Sequence, residues 1–288
     1  MQSTRREFIA TAAAAATAGA CSTEGSGGDG ITRYVRFERA GAEGYGLLEG
    51  ETIQPIKGDL FGAREPAGES VALADVKLLY PCKPSKVMAL AGNYASHLGE
   101  GAEMPAIPEP FYKPISCLIS PEDQIVFPEG AQDVHYEAEF VIVIGKKAKN
   151  VSEAEAEDYI LGYTCGNDVS ERNWQNGSLD GPENKDLQWW RGKGADTFGP
   201  MGPVIATGFD YLQSRIQLRL NGEVKQDTTL NYLIHKPPAV VSFISRYVTL
   251  MPGDVIFTGT SGRTSPIQHG DTVEVEIDGI GILKNTVA

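Results

Sequence analysis

The sequence predicts an α+β fold dominated by mixed β-sheet, and three features of its hydropathy pattern carry that prediction. Apolar and polar residues alternate between glycines over 31–55. Continuous β-type runs recur at Phe140 to Gly145, Val255 to Gly259 and Val273 to Ile277. Helical periodicity is confined to two short stretches. With 288 residues the chain can bury a sizeable core, and it fits one large domain with an accessory segment better than two equal ones.

The elements follow in chain order. Thr4-Arg5-Arg6-Glu7-Phe8-Ile9 is a twin-arginine pattern, and the alanine-rich run Ala10 to Ala20 behind it is too short to span a bilayer. Residues 1–20 therefore read as a twin-arginine (Tat) export signal, with a soluble helical N-terminus as the alternative. Ala18-Gly19-Ala20-Cys21 resembles a lipoprotein cleavage box with Ala18 where Leu is more usual, which makes Cys21 a candidate lipidation site. Residues 21–30, rich in Ser, Gly and acid, form a flexible tether. These features place the mature protein in the periplasm or, through a lipid on Cys21, at a membrane.

Tyr34 to Phe37, Tyr45 to Leu48 and Thr52 to Pro55 are the short strands of a small N-terminal β segment over 31–80. Val76 to Tyr80 and Val87 to Ala91 are strands flanking the turn Pro81 to Pro84, and residues 81–288 form the main domain. Its helices are Ser152 to Ile160, with Glu155 three positions after a capping Ser152, and Pro238 to Tyr247, with apolar spacing at Val240, Val241, Phe243 and Ile244. No period of 20–50 residues repeats, so neither a solenoid nor a propeller is indicated.

Lys plus Arg number 25 against 38 Asp plus Glu, a net charge of −13. Nucleic acid and polybasic membrane contact both require the opposite sign. An anionic small substrate stays compatible, because a bound cation inverts the field inside a pocket. Besides Cys21 the chain has Cys82, Cys117 and Cys165, an odd number without a C-x-x-C pair or zinc spacing, which reads as buried thiols.

Chemistry centres first on His135-Tyr136-Glu137-Ala138-Glu139-Phe140-Val141. Strand side chains alternate with period two, so Glu137 and Glu139 share a face, about 6.6 Å apart at roughly 3.3 Å rise per residue. Two carboxylates at the edge of an apolar run need a compensating cation, and Mg²⁺, Mn²⁺ or Ca²⁺ suits oxygen ligands; a solvated outer strand face is the alternative. Asp168, ending the segment Gly162 to Val169, is a third candidate ligand or else a helix N-cap. In Gly92-Asn93-Tyr94-Ala95-Ser96-His97-Leu98-Gly99-Glu100, a helical turn brings His97 and Glu100 together as a candidate general-base pair, or as a surface His beside a solvated Glu. Gly99, Gly101, Pro105, Pro108 and Pro110 make the neighbouring chain a candidate lid. Lys193, in the Gly- and Pro-dense stretch Trp190 to Pro203, is a candidate oxyanion-stabilising group or a solvated turn residue.

Six segments in order resemble the fumarylacetoacetate hydrolase family in its short bacterial form: Asn93-Tyr94-x-x-His97-x-x-Glu100, Phe111-Tyr112-Lys113-Pro114, His135-Tyr136-Glu137-Ala138-Glu139, Asn167-Asp168-x-x-x-Arg172-x-x-Gln175, Gly192-Lys193-x-x-Asp196-Thr197-Phe198-x-Pro200-x-Gly202-Pro203, and Pro252-Gly253-Asp254-Val255-Ile256-x-Thr258-Gly259-Thr260. The resemblance runs from about Ile31 to Thr286 and implies the family's fold with its small N-terminal domain. It implies Glu137, Glu139 and Asp168 as ligands of a divalent cation, Mg²⁺ first with Mn²⁺ and Ca²⁺ as alternatives. His97 and Glu100 match its water-activating dyad and Lys193 its charge-stabilising lysine. Arg172, Gln175, Gln226 and Thr260 match residues around the bound substrate. Ser261 departs from the family, which usually has Pro there.

The implied activity is hydrolytic cleavage of C–C bonds in small 1,3-dicarbonyl or acylpyruvate-type oxo-acids, by a homodimer. Decarboxylation of an oxo-acid and tautomerisation of a dienol acid use the same metal-enolate chemistry, and residue spacing does not separate them. A non-catalytic exported binding lipoprotein is the rival from another class. It needs the carboxylates but not the His97–Glu100 pair beside them.

Overall fold

Phe140, Val141, Ile142, Val143 and Ile144 expose no surface at all, because the strand Ala138–Ile144 runs through the middle of a sheet covered on both faces. Period two divides its side chains. Phe140, Ile142 and Ile144 join one apolar cluster, while Val141 and Val143 join a second on the opposite face. In the computed structural model, which describes residues 30–178 and 185–288, this strand is the spine of the molecule. The twin-arginine pattern, Cys21 and the tether up to residue 29 lie outside the described residues.

Ala138–Ile144 pairs antiparallel with Ile160–Asn167 on one side and with Val255–Phe257 on the other. Val255–Phe257 pairs parallel with Val87–Ala91, and Glu109–Lys113 closes that edge antiparallel. In the other direction Ile160–Asn167 leads to Gly199–Thr207, and this to Thr32–Arg39, Ala42–Glu49 and Thr52–Gly58. The result is the mixed, sheet-dominated α+β architecture expected. The N-terminal strands are not a separate sheet: Thr32–Arg39 hydrogen-bonds directly to Gly199–Thr207, so they extend the central one. A second sheet is built on Arg215–Leu220, Glu223–Thr229, Thr272–Ile277 and Gly281–Val287. Cys82, Cys117 and Cys165 are buried free thiols, as expected, and burial pushes the Cys82 thiol up to about 12.

Helices are few and short. Arg172–Asn176 (α1) and Trp190–Gly194 (α2) flank the site described below, and Pro237–Tyr247 (α3) starts one residue earlier than the sequence predicts and buries Val240, Val241 and Ile244. The second predicted helix is a 3₁₀ segment, Glu153–Tyr159. Ser152 does not cap its backbone; the hydroxyl donates instead to the Glu155 carboxylate at 2.5 Å. Two strands run through stretches whose Gly and Pro content read as loop. Glu109–Lys113 holds Pro110 but lies at the sheet edge, where a missing donor is tolerated. Gly199–Thr207 accommodates Pro203 within a register shift between its Gly202 and Ala206 rungs.

Gly166, opposite Glu139, shows how tightly the site is seated. A Cβ there would lie 2.5 Å from Phe257 Cε1 and 2.6 Å from Val141 Cγ2. Gly166→Ala is expected to destabilise the protein by about 1–3 kcal/mol through overpacking, read as a lower denaturant midpoint at unchanged slope.

Candidate active site

Strand register brings the three predicted carboxylates together. Ala138 pairs with Asn167 in antiparallel register, so the next residues outward on the two strands, Glu137 and Asp168, meet just beyond that rung, where the strands end. The Asp168 N–H donates to the Glu137 carbonyl at 2.9 Å, and the Glu137 N–H donates to the Asn167 side-chain oxygen at 2.8 Å. One oxygen each of Glu137, Glu139 and Asp168 lies within 4.8 Å of the others, and the three residues are 3%, 1% and 0% exposed. That burial disposes of a solvated strand face. Nor does Asp168 cap a helix, since Glu171 caps α1 by accepting from the Trp174 N–H.

Three basic side chains surround the cluster. Lys193, presented by α2, places Nζ 2.6 Å from Glu137 Oε2, 2.7 Å from Asp168 Oδ2 and 2.8 Å from Ser170 Oγ. Lys113 is equally buried. It donates to Asp168 Oδ1 at 2.6 Å, to the Phe198 carbonyl at 3.2 Å and to the Lys193 carbonyl. The Arg172 Nη2 donates to Glu137 Oε1 at 2.5 Å. Glu139 has no such partner: the Gly259 N–H, at 2.7 Å, is its one hydrogen bond among the described residues.

The titration behaviour follows from this asymmetry. Burial pushes the Glu137 carboxyl up, but the charges of Lys193 and Arg172 outweigh it and hold the group at about 2. Burial, reinforced by Asp168 and Glu137, drives Glu139 well above the usual carboxylate range. For Lys193 burial acts downward, but Asp168 and Glu137 reverse it and keep the ammonium charged. A fully buried carboxylate beside two others, with no basic partner and with all-oxygen donors around it, fits a hard divalent cation.

A cleft of about 660 Å³ opens onto the cluster, with His97, Glu137, Glu139, Gln175, Lys193 and Thr260 on its polar side. His97 Nδ1 lies 2.6 Å from the Gly262 carbonyl, and His97 Nε2 lies 3.8 Å from Glu137 Oε1. A carbonyl only accepts, so Nδ1 carries a proton, and the nitrogen turned toward the carboxylates is Nε2, where the lone pair of a neutral ring would lie. The predicted pairing with Glu100 is not formed. Glu100 is exposed and makes no hydrogen bond or ion pair among the described residues. The turn holding His97 closes on the Tyr94 carbonyl, and a separate turn begins at Gly99, so helical i, i+3 proximity is lost.

Of the predicted substrate contacts, Gln175 and Thr260 line the cleft, whereas Arg172 and Gln226 stand behind it. Arg172 is committed to Glu137, to Thr264 Oγ1 at 2.9 Å and to Gln175 Oε1 at 2.7 Å. Gln226 accepts from the Ala138 N–H at 3.0 Å and donates to Thr260 Oγ1 at 2.8 Å and the Ser261 carbonyl at 2.5 Å, tying the 259–261 loop to the ligand-bearing strand. Sequence reasoning gave Lys113 no role. Its signal was a Lys in an edge strand whose inward neighbours are apolar.

Residues 86–288 match the family model described as fumarylacetoacetate (FAA) hydrolase C-terminal, and residues 32–81 match Rv2993c-like, N-terminal. Protein Rv2993c of Mycobacterium tuberculosis is 45% identical over 82% of this chain and 88% of its own length. An oxaloacetate tautomerase, fahd2, mitochondrial, of Xenopus laevis is 38% identical over 74% and 69%. The crystal structure of 2-hydroxyhepta-2,4-diene-1,7-dioate isomerase from Mycobacterium marinum superimposes with a TM-score of 0.81 at 40% identity, covering 89% of this chain and 98% of that one. Maleylpyruvate hydrolase from Sphingobium sp. SYK-6, in complex with manganese(II) and pyruvate, gives 0.72 at 27% identity, with the same coverage. With a family model covering 203 residues and relatives this similar, the chain belongs to the fumarylacetoacetate hydrolase family.

Proposed function

We propose that the protein is a divalent-metal-dependent tautomerase or isomerase that moves a proton between carbon and oxygen in small 2-oxo acids. The observation that carries this reading is the placement of His97: its Nδ1–H donates to the Gly262 carbonyl, with no acid behind it, and this turns Nε2 toward the carboxylate cluster as the atom that would take a proton. Glu137, Glu139 and Asp168 would hold the cation, Mg²⁺ or Mn²⁺. Bound there, such an ion supplies Lewis-acid polarisation of the keto and carboxylate oxygens of a 2-oxo acid, which lowers the cost of its enolate.

The chain's own groups do the rest. His97 Nε2 takes the proton from the carbon next to the keto group and returns it, while the Lys193 ammonium, locked between two carboxylates, adds a fixed positive charge near the developing enolate. Leu98 and Phe111 on the cleft wall limit water around the reacting carbon.

Hydrolytic C–C cleavage is the second reading, supported by the maleylpyruvate hydrolase likeness. It is placed second because Glu100, the acid expected to help His97 activate water, is exposed and unpaired among the described residues, and because the isomerase and tautomerase relatives are nearer in sequence. A purely binding protein has no use for a base 3.8 Å from the carboxylates.

The test is one purified sample with Mg²⁺ or Mn²⁺, assayed for enol absorbance decay, for CO₂ release from oxaloacetate and for acylpyruvate cleavage. Enol decay without C–C scission is expected; stoichiometric release of pyruvate or CO₂ as the fastest reaction would sink the tautomerase reading. His97→Asn is expected to lower turnover by about 10²–10⁴-fold while the metal-induced rise in melting temperature persists.

A further inference from the structure

The outer cleft differs in chemistry from its base. Leu98, Met104, Phe111 and Trp189 form an apolar wall, and two carboxylates, Glu103 and Glu109, stand at the mouth. Both acids are exposed, and neither side chain has a hydrogen-bond or ion-pair partner among the described residues. Lys193 is the one Lys or Arg among the described lining residues, and its ammonium is taken up by Glu137, Asp168 and Ser170. Nothing cationic on the described lining is therefore left to receive an acid group at the far end of a substrate.

The Trp189 side of the wall is held in place by its neighbours. Trp189 has a φ of 57°, in the left-handed region that a bulky aromatic residue rarely occupies. It is held there from two sides: its carbonyl accepts the Lys193 N–H at 2.7 Å, and its ring meets Phe111 edge-on, with centroids 5.1 Å apart at 77°. Strain of this kind persists where the surroundings over-determine a geometry that function uses. It fixes a flat aromatic surface next to the helix that presents Lys193. A cleft of about 660 Å³ also falls within the roughly 300–1,000 Å³ of sites that enclose ligands larger than a four-carbon acid.

Resting on the tautomerase reading above, we infer that the substrate is a 2-oxo acid of five or more carbons with an uncharged, apolar tail. The tail lies along Phe111 and Trp189, and Glu103 and Glu109 reject acids that carry a second carboxylate at the far end. Two like charges at a partly solvated rim produce a discrimination of about five- to tenfold. Short diacids escape this filter, because both of their carboxylates stay near the base.

The test is equilibrium binding by calorimetry in Mg²⁺ buffer, with 2-oxohexanoate and 2-oxohexanedioate, which differ only in a methyl or a carboxylate at the end of the chain. The wild type is expected to bind 2-oxohexanoate about five- to tenfold more tightly, and the ratio should shrink as salt screens the rim. In the Glu103→Gln/Glu109→Gln protein, whose changes are on exposed side chains that support no packing, the ratio is expected to fall to within about twofold. Equal or tighter binding of the diacid by the wild type, or a ratio indifferent to both the substitutions and salt, overturns the inference. Should the preference hold while no proton exchange is catalysed, the tautomerase reading fails and the assignment of the rim stands.

Discussion

Lys193→Met is expected to give a protein that binds its metal at least as well as the wild type, unfolds more easily without it, and turns over about 10²–10³-fold more slowly. The ammonium lies within 2.7 Å of both Glu137 and Asp168 and is buried with them. Removing one partner of a buried ion pair leaves uncompensated charge, which costs about 3–5 kcal/mol. That loss should appear in full when unfolding is followed in chelator. Added Mg²⁺ supplies positive charge to the same two carboxylates, so part of the loss should be regained, and the cation no longer competes with an ammonium for their oxygens. An equal loss of stability with and without metal would show that lysine and cation do not share these ligands.

Glu139→Gln should behave in the opposite sense. Glu139 lacks a basic partner, and its burial beside two carboxylates makes its ionised form costly, so a neutral amide in its place is expected to raise the stability of the metal-free protein by on the order of 1 kcal/mol. The metal response should vanish. In the wild type, a free cation at 100 times its dissociation constant stabilises by about 2.7 kcal/mol, which for a chain of this size raises the melting temperature by roughly 5–10 °C. The variant is expected to show little of that rise and to lose at least about 10³-fold in turnover, because it loses both a ligand and the polarisation that the cation supplies. Thermal scans with chelator and with Mg²⁺, run on both proteins, check both signs together.

The spine of the fold was legible because Phe140 to Ile144 is buried on both faces and reads as an unbroken apolar run. The same period of two placed Glu137 and Glu139 on one side, but a surface strand has that pattern too. Their burial comes from the covering elements, which local sequence does not reveal. Glu109–Lys113 was hidden by Pro110, whose missing N–H matters only in a strand flanked on both sides. The partner of His97 was hidden for a different reason. It is the backbone carbonyl of Gly262, 165 residues away, and a carbonyl has no residue signature. A short-range acid, Glu100, offered itself instead. Arg172 and Gln226 are expected from the sequence around the substrate, yet their side chains are spent on Glu137, Gln175 and the 259–261 loop rather than turned into the cleft. Which chain atoms a polar group satisfies is fixed by tertiary packing.

A carboxylate-held cation and His97 that together enolise a 2-oxo acid leave a signature in the substrate's own protons. Its most direct measurement is exchange of the protons next to the keto group with solvent deuterium, followed by proton NMR in D₂O. With Mg²⁺ or Mn²⁺ the wild type is expected to exchange these protons far faster than buffer, and chelator, Glu139→Gln and His97→Asn should each remove the catalysis. Exchange that survives chelation, or C–C cleavage products accumulating with no exchange, would contradict it.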